Sequence, residues 1–199
     1  MIRYDCFEWL APQMTDEIVV TSLSGQRVEW GHLSKREADL NLGSMGNALA
    51  VGIGLALALP RRKVFVFESD GSVLLSLFNL PTLANLNPPN MAVFVFDNQA
   101  YSGTRISYPS ATAGKTDLAA VARGSGIEHS VTVAELEDFK REATGALDQP
   151  GLRFVVCKIE ETVGHRKITR SNVDLLETKY RFVRYHERIE GKPIFEGRG

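Results

Sequence analysis

The chain has 199 residues, 23 Lys and Arg against 24 Asp and Glu, 44% hydrophobic residues and two cysteines. This length predicts one compact domain with a small extension. A net charge of −1 excludes binding of nucleic acid or a membrane surface through an overall basic face, and two cysteines exclude a disulfide scaffold and a four-cysteine zinc site. The first ten residues, MIRYDCFEWL, contain acidic residues and no long apolar stretch. We therefore predict no signal peptide and a cytoplasmic protein.

Four short apolar runs predict strands. They are rich in β-branched and aromatic residues and lack polar alternation, which is typical of parallel strands buried on both faces. The runs are 18–20, 64–67, 91–96 and 154–156. Helices are predicted between and after them over 45–59, 72–86, 117–123 and 133–147. Strands alternating with helices predict an α/β fold, a doubly wound, mostly parallel sheet with helices on both faces.

The C-terminal part differs in charge from the rest of the chain. The last 42 residues carry 10 basic and 7 acidic residues, whereas the first 157 carry 13 basic and 17 acidic residues. Apolar residues at positions 173, 176, 180 and 183 predict an amphipathic helix over 171–186, capped by Ser171 or Asn172. This helix either packs on its own domain or offers a surface to another subunit. We divide the chain into a domain, 1–160, and a charged helical extension, 161–199.

Polar clusters follow two of the predicted strands. Residues 68–72 follow the second run, and residues 97–103 follow the third. Ligands of open α/β sheets bind at the carboxyl ends of the strands, so Asp70 and Asn98 are expected side by side. A carboxylate, an amide oxygen and a backbone carbonyl suit Mg²⁺, which takes phosphate oxygens as further ligands. A helix beginning near Ser72 also favours an anion. The chemistry alone predicts a metal–diphosphate site.

The joint pattern resembles the signature of thiamine-diphosphate-dependent enzymes, which is Gly-Asp-Gly followed one strand–helix–strand unit later by Asn-Asn or Asp-Asn. Its counterparts here are Ser69-Asp70-Gly71-Ser72 and Asp97-Asn98. The likeness extends upstream through Leu42-Gly43-Ser44-Met45-Gly46 and downstream through Thr116-Asp117-Leu118, and covers roughly residues 1–160. Gly-Ser-Met-Gly and Asp-Asn-Gln-Ala-Tyr resemble in particular the diphosphate-binding half of sulfopyruvate and phosphonopyruvate decarboxylases.

The resemblance implies roles for individual residues. It implies that Asp70, the Asn98 side chain and the backbone oxygen of Ala100 bind Mg²⁺. The residues implied for the diphosphate are Gly71, Ser72, Tyr101 and Ser102, with Ser22 and Ser24 at the far phosphate. Those implied for the aminopyrimidine are Gly43, Ser44 and Met45, with Met45 as the apolar wedge that bends the cofactor. The residues alone also allow plainer roles: a helix cap for Asp70 or Ser72, and packing for Met45 or Tyr101.

Two positions depart from the family pattern. Ser69 stands where the first glycine of Gly-Asp-Gly is expected, and serine is strained there if the position needs a positive φ. Residues 105–110 replace a loop that lies near the substrate in the family. Arg105 in this segment either pairs with an anionic substrate group or is solvated. The sequence therefore does not identify the side group of the substrate.

The resemblance implies the diphosphate-binding subunit of a two-subunit, thiamine-diphosphate- and Mg²⁺-dependent decarboxylase of small 2-oxoacids. Family members need a second, pyrimidine-binding domain that supplies an activating glutamate, and this chain has room for one domain. Glu17 and Glu29 belong to the wrong domain. We expect a partner subunit to bring the glutamate, and we expect the chain to form a hetero-oligomer or a homodimer. Two alternatives stay open: another thiamine-diphosphate reaction such as carboligation, or a non-catalytic half-enzyme acting as a partner protein.

Overall fold

A computed structural model of the chain describes residues 1–23, 25–102, 107–160, 168 and 174–193. Six strands of these residues form one parallel sheet. Their bounds are β1 Ile18–Thr21, β2 Asp39–Asn41, β3 Val64–Ser69, β4 Met91–Asp97, β7 Ser130–Val133 and β8 Arg153–Lys158. The strand order is β2-β1-β3-β4-β8-β7, so β3 and β4 lie at the centre. A separate antiparallel hairpin pairs β5 Ala100–Ser102 with β6 Ser107–Pro109.

Helices cover both faces of the parallel sheet. The described residues contain α1 Arg3–Leu10, α2 Gly25–Leu33, α3 Ala48–Ala58, α4 Asp70–Leu74, α5 Asn79–Leu86, α6 Leu118–Gly124, α7 Leu136–Asp148 and α8 Leu175–Glu190. None of these helices is both long and apolar enough to cross a membrane, as far as the described part of the chain goes. The predicted doubly wound α/β architecture with a C-terminal helix is confirmed.

Successive residues of each central strand enter two different cores, because side chains alternate across a sheet. Phe65 and Phe67 of β3 belong to an aromatic layer beneath α1, α2 and α7. Val64 and Val66 of the same strand belong to an aliphatic layer beneath α3, α5 and α6. The sheet is therefore buried on both faces, which explains why its strands carry uninterrupted apolar runs.

Three predicted helices have different bounds in the structure. The helix expected from Met45 begins at Ala48, because Gly46 adopts φ +80°, outside the helical region. The helix expected over 72–86 is two helices, α4 and α5, separated by a turn in which Asn79 N donates to Ser76 O. The helix expected from Val133 begins at Leu136, because Val133 is the last residue of β7.

The C-terminal helix begins later than predicted. It spans Leu175–Glu190, and its cap is Asp174, whose carboxylate accepts hydrogen bonds from the amides of Leu176 and Glu177. Ser171 and Asn172, the predicted caps, lie outside the described residues. Phe182 packs into the aliphatic layer, so α8 is packed on its own domain.

Sequence patterns did not predict α1, α2 or β2. The first two helices lack a regular apolar stripe, and β2 has three residues in a segment predicted as loop and helix. Tertiary contacts hold them: Trp30 of α2, for example, is fully buried against Phe7 and Phe67. Such short elements depend on packing rather than on local sequence preference.

Candidate functional site

The carboxyl ends of β3 and β4 bring the two polar clusters together. Ser69, the last residue of β3, pairs with Phe96 in the parallel register, so Asp70 directly after β3 lies level with Asp97 at the end of β4. Asn98 follows directly. The expectation that Asp70 and Asn98 lie side by side at the carboxyl ends of neighbouring strands is confirmed, since each directly follows one of two paired strands.

Asp70 is fully buried at this edge, among hydroxyl donors. Ser110 Oγ donates to Asp70 Oδ2 at 2.5 Å, and Thr112 Oγ1 lies 3.1 Å from the same oxygen. Burial raises the pKa of the Asp70 carboxyl, the hydrogen bond from Ser110 opposes this rise, and the nearby Asp97 carboxylate adds to it. A bound cation would reverse this balance, because an opposite charge favours the ionised form.

Asp97 joins the same cluster from β4. Its Oδ1 lies 2.7 Å from Thr112 Oγ1, and its Oδ2 accepts a hydrogen bond from Lys158 at the end of β8. Thr112 therefore lies within hydrogen-bond distance of both buried carboxylates and, with one hydroxyl proton, donates to one at a time. The lysine supplies positive charge beside the buried Asp97 carboxylate, which burial alone would penalise.

Asn98 and Ala100 lie on a tight turn after β4. Gln99 has φ +63°, and its amide donates to Asp97 Oδ1 at 2.9 Å. The amide of Ala100 donates to Asn98 Oδ1 at 3.3 Å. This turn leads the chain from the buried strand into β5, and it keeps the Asn98 side chain half-buried at the sheet edge.

Ser69 adopts an ordinary extended conformation, with φ −107° and ψ 160°. The strain considered for serine at this position therefore does not arise, because strain would require a positive φ. The Ser69 hydroxyl instead caps α4 by accepting a hydrogen bond from Ser72 N at 3.3 Å. The cap of this helix is Ser69, and the alternative roles of Asp70 and Ser72 as caps are wrong.

Gly71 makes room for an aromatic ring. A Cβ built on Gly71 would lie 2.4 Å from Tyr101 Cε1, so any side chain there would displace the tyrosine. Tyr101 thus packs on the first turn of α4 while keeping 37% of its surface exposed. For Ser102 the structure describes the backbone in β5, and Ser24 and Arg105 lie outside the described residues.

The segment 43–46 is tied to the same edge by its backbone. Gly46 N donates to Ser72 Oγ at 2.8 Å, and Ser44 O accepts from Leu23 N at 3.2 Å. Met45 lies in this loop, half-buried, rather than in the core of a helix. On the outer side a Cβ built on Gly43 would lie 2.5 Å from Leu175 Cδ1, so α8 begins directly against the loop.

Glu68 is a buried acid for which the sequence suggested no role. It is fully buried near the end of β3, and its Oε1 accepts a hydrogen bond from Leu49 N at 3.0 Å. Its Oε2 has no hydrogen-bond partner among the described residues. Burial raises the pKa of the Glu68 carboxyl, and the hydroxyls of Ser72 and Ser22, which face it, oppose this rise. Ser22 itself is buried and accepts a hydrogen bond from Gln26 Nε2 at 2.5 Å.

Sequence reasoning also missed Ser110, Thr112 and Lys158. A signal existed for Lys158, because it directly follows an apolar run and so stands at the carboxyl end of a predicted strand. Ser110 and Thr112 lie 40 and 42 positions after Asp70, and no local pattern marks them.

The donor set at this edge suits a hard cation. Across the described residues, no group of three or more His, Cys, Asp or Glu side chains could hold a metal ion. Asp70, Asn98 and the Ala100 carbonyl instead offer one carboxylate, one amide oxygen and one backbone oxygen. Mg²⁺ binds through few protein oxygens together with phosphate oxygens and water, so these residues fit a Mg²⁺–diphosphate group.

Comparison with known proteins identifies a family for most of the chain. The family described as thiamine pyrophosphate enzyme, C-terminal TPP binding domain, matches residues 29–157. Sulfopyruvate decarboxylase subunit beta of Methanocaldococcus jannaschii is 32% identical over 169 residues, covering 84% of this chain and 87% of that protein. The protein of the same name from Methanococcus maripaludis is 31% identical, covering 92% of this chain and 96% of that protein. Phosphonopyruvate decarboxylase of Streptomyces viridochromogenes is 31% identical, covering 86% of this chain and 44% of that protein.

Solved structures show the same fold. A putative thiamin diphosphate-dependent enzyme from Mycobacterium smegmatis superposes with a TM-score of 0.66 at 19% identity, covering 81% of this chain and 32% of that chain. Benzoylformate decarboxylase from Polynucleobacter necessarius gives a TM-score of 0.63 at 19% identity, covering 80% of this chain and 33% of that chain. This chain therefore spans about a third of the length of these solved chains.

Proposed function

Because the chain belongs to the thiamine pyrophosphate enzymes, we propose that it is the diphosphate-binding subunit of a two-subunit 2-oxoacid decarboxylase, similar to sulfopyruvate decarboxylase. The observation that carries the proposal is the oxygen donor set of Asp70, Asn98 and Ala100 at the ends of two adjacent parallel strands. The alignment with subunit beta of sulfopyruvate decarboxylase over most of both chains supports it. The substrate is a small 2-oxoacid.

The residues at the edge divide into those that hold the metal and those that hold the cofactor. Asp70, Asn98 and the Ala100 carbonyl bind Mg²⁺, while Ser110 and Thr112 orient the Asp70 carboxylate. The residues proposed for the diphosphate are Gly71, Ser72, Tyr101 and Ser102. Those proposed for the aminopyrimidine are Gly43, Ser44 and Met45. When bound, thiamine diphosphate supplies the nucleophilic carbon and the electron sink for decarboxylation, and the protein orients it.

A partner subunit with a pyrimidine-binding domain supplies the activating glutamate. Exposed apolar side chains beside the loop 43–46 support a contact with the partner subunit there: Leu75 is 60% exposed and Phe78 is 74% exposed. A Cβ built on Gly46 would lie 3.5 Å from Leu75 Cβ, so this patch adjoins the loop. Exposed apolar patches of this kind mark protein–protein contacts. We place the reaction in the cytoplasm, which the free thiols of Cys6 and Cys157 support.

Residues 1–160 form the cofactor domain of this subunit, and 161–199 form its charged extension. The packing of α8 supports an extension that stays with the domain, because Phe182 enters the aliphatic layer and Leu175 lies against Gly43. The helix α8 then stays with the domain when the partner subunit binds.

The proposal is tested by binding of Mg²⁺ and thiamine diphosphate to the chain co-purified with its partner. Asp70→Ala and Asn98→Ala should each raise the cofactor dissociation constant by more than about a hundredfold, beyond the loss typical of outer-sphere residues. Asp138→Ala is the matched control, because it removes a carboxylate of α7 that pairs with Arg141 and takes no part in the donor set. Unchanged cofactor binding in both alanine variants would refute the site.

Product analysis with a panel of 2-oxoacids tests the reaction. Release of CO₂ and an aldehyde is expected. A carboligation product instead of the aldehyde would retain the cofactor site and refute the decarboxylase.

A further inference from the structure

We propose that Glu68 is a positioning residue that fixes the loop 43–46 and the start of α3 against the cofactor edge of the sheet. The inference rests on the proposed function for its consequence, since this loop is the proposed aminopyrimidine contact. Its geometry stands on the described contacts alone.

Glu68 replaces a cap that α3 lacks. Asn47 occupies the N-cap position, but its side chain makes no capping hydrogen bond and instead donates to Ser44 Oγ at 2.9 Å. The first amides of a helix have no partner within the helix and need an acceptor from elsewhere. Glu68 Oε1, from the neighbouring strand β3, accepts the hydrogen bond from Leu49 N. A carboxyl group distant in sequence therefore performs the work of the local cap.

The same carboxyl group connects the other segments of the edge. The hydroxyls of Ser72 and Ser22 face it, the first from α4 and the second from the end of β1. Ser72 Oγ in turn accepts from Gly46 N at 2.8 Å, within the loop. Loop, strand and both helix starts are thus joined through Glu68, and a displacement of its carboxyl group would move the loop relative to Asp70.

Core stability does not explain an acid at this position. The four preceding residues of β3 are valine or phenylalanine, and Glu68 continues this run as a fully buried acid. Burying such a group is unfavourable, and an apolar residue of the same volume serves a core at least as well. Unlike an apolar residue, the acid accepts a hydrogen bond from the first turn of α3.

Two variants separate positioning from packing. Glu68→Met keeps the volume and removes the acceptor for Leu49 N, whereas Glu68→Gln keeps an acceptor oxygen. Glu142→Met is the matched control, because Glu142 is a buried acid of α7 that pairs with His129 and Arg153 instead. The measurements are the hydrogen-exchange rate of the Leu49 and Gly46 amides and the thiamine diphosphate dissociation constant at saturating Mg²⁺, with the partner present.

In Glu68→Met we expect Leu49 to exchange at least about tenfold faster and the dissociation constant to rise about tenfold to a hundredfold. Glu68→Gln should restore both to within about threefold, and Glu142→Met should change neither. Equal loss in the Met and Gln variants, or wild-type exchange at Leu49 in Glu68→Met, would overturn the assignment. If the wild type does not bind the cofactor, the proposed function fails, and the exchange rates still decide the role of Glu68.

Discussion

The central strands β3 and β4 contain two regions of opposite character, the aromatic layer on one face and the polar cluster at the carboxyl edge. In the layer, Phe65 and Phe94 stack with ring centroids 5.9 Å apart, and Phe67 and Phe96 pack edge to face at 6.0 Å. At the edge, Glu68, Asp70 and Asp97 are just as buried but carry ionisable groups. The two regions lie on the same strands, but burial has opposite effects on the free energy of their side chains.

Burial is favourable for the aromatic side chains of the layer and unfavourable for the ionisable side chains at the edge. Apolar area removed from water is favourable wherever it is placed, so the layer tolerates apolar substitutions that keep its volume. A buried carboxyl needs specific hydrogen-bond donors, and those of Asp70 and Asp97 include Ser110, Thr112 and Lys158. The layer therefore accounts for stability, and the edge for a defined geometry at a site.

The largest expected effect comes from a substitution within the aromatic layer. Phe94→Ala should lower the free energy of unfolding by about 3–5 kcal/mol, because it leaves a cavity among the rings of Phe65, Phe67 and Phe139. Denaturant unfolding followed by circular dichroism measures the loss. Leu57→Ala, at a position 51% exposed, is the control and should change stability little. A loss in Phe94→Ala as small as in the control would contradict the assignment of stability to this layer.

An intermediate effect concerns a buried polar group outside both regions, His186 of α8. The pKa of its imidazole is lowered from 6.5 to about 4, first by burial and then by the positive charge of Arg62, while the Glu190 carboxylate opposes this shift. Neither ring nitrogen has a hydrogen-bond partner among the described residues. Below pH 6.5 the His186 imidazole is therefore protonated in the unfolded chain, whereas in the folded chain it becomes protonated only near pH 4.

Stability should thus fall as the pH drops from about 6.5 to 4, by up to about 3 kcal/mol from this group. His186→Phe, which keeps a ring beside Phe182, should remove that part of the pH dependence. Unfolding free energies measured across this range test it, with the exposed His32→Phe as the control. An identical slope in wild type and His186→Phe would show that the imidazole does not titrate in this way.

The smallest expected effect comes from substitutions of Ser69 at the edge. Ser69→Ala should lower stability by about 1 kcal/mol through loss of the cap on α4, and Ser69→Gly by a few tenths. Because Ser69 has a negative φ, glycine should bring no relief of strain and no gain in cofactor affinity. Thermal unfolding and cofactor titration of the two variants check this. A clear gain in affinity with glycine would indicate that the backbone changes when the cofactor binds.

The sequence predicted the parts of the fold whose signals are local. Apolar runs located β1, β3, β4 and β8, and Asp117 was predicted to begin a helix that it caps in the structure through a hydrogen bond from Ala120 N at 3.0 Å. The spacing of Asp70 and Asn98 predicted their meeting, because one strand–helix–strand unit separates adjacent parallel strands. The roles of these residues toward metal and cofactor stay predictions.

Other features had no local signal and depended on tertiary contacts. The turn between α4 and α5 and the start of α3 were mispredicted, since helix spacing alone does not reveal a positive φ at Gly46. Ser110 and Thr112 reach Asp70 from a distant hairpin and turn, and Glu68 reaches Leu49 from a neighbouring strand.

The sequence by itself determined the sheet, the two buried faces and the oxygen-rich edge, because apolar periodicity and residue type act over a few positions. Only the tertiary structure decided which donors stabilise each buried acid, because those contacts join residues about 20 to 60 positions apart. The family motif marks where the site lies, and long-range hydrogen bonds hold its loops in place.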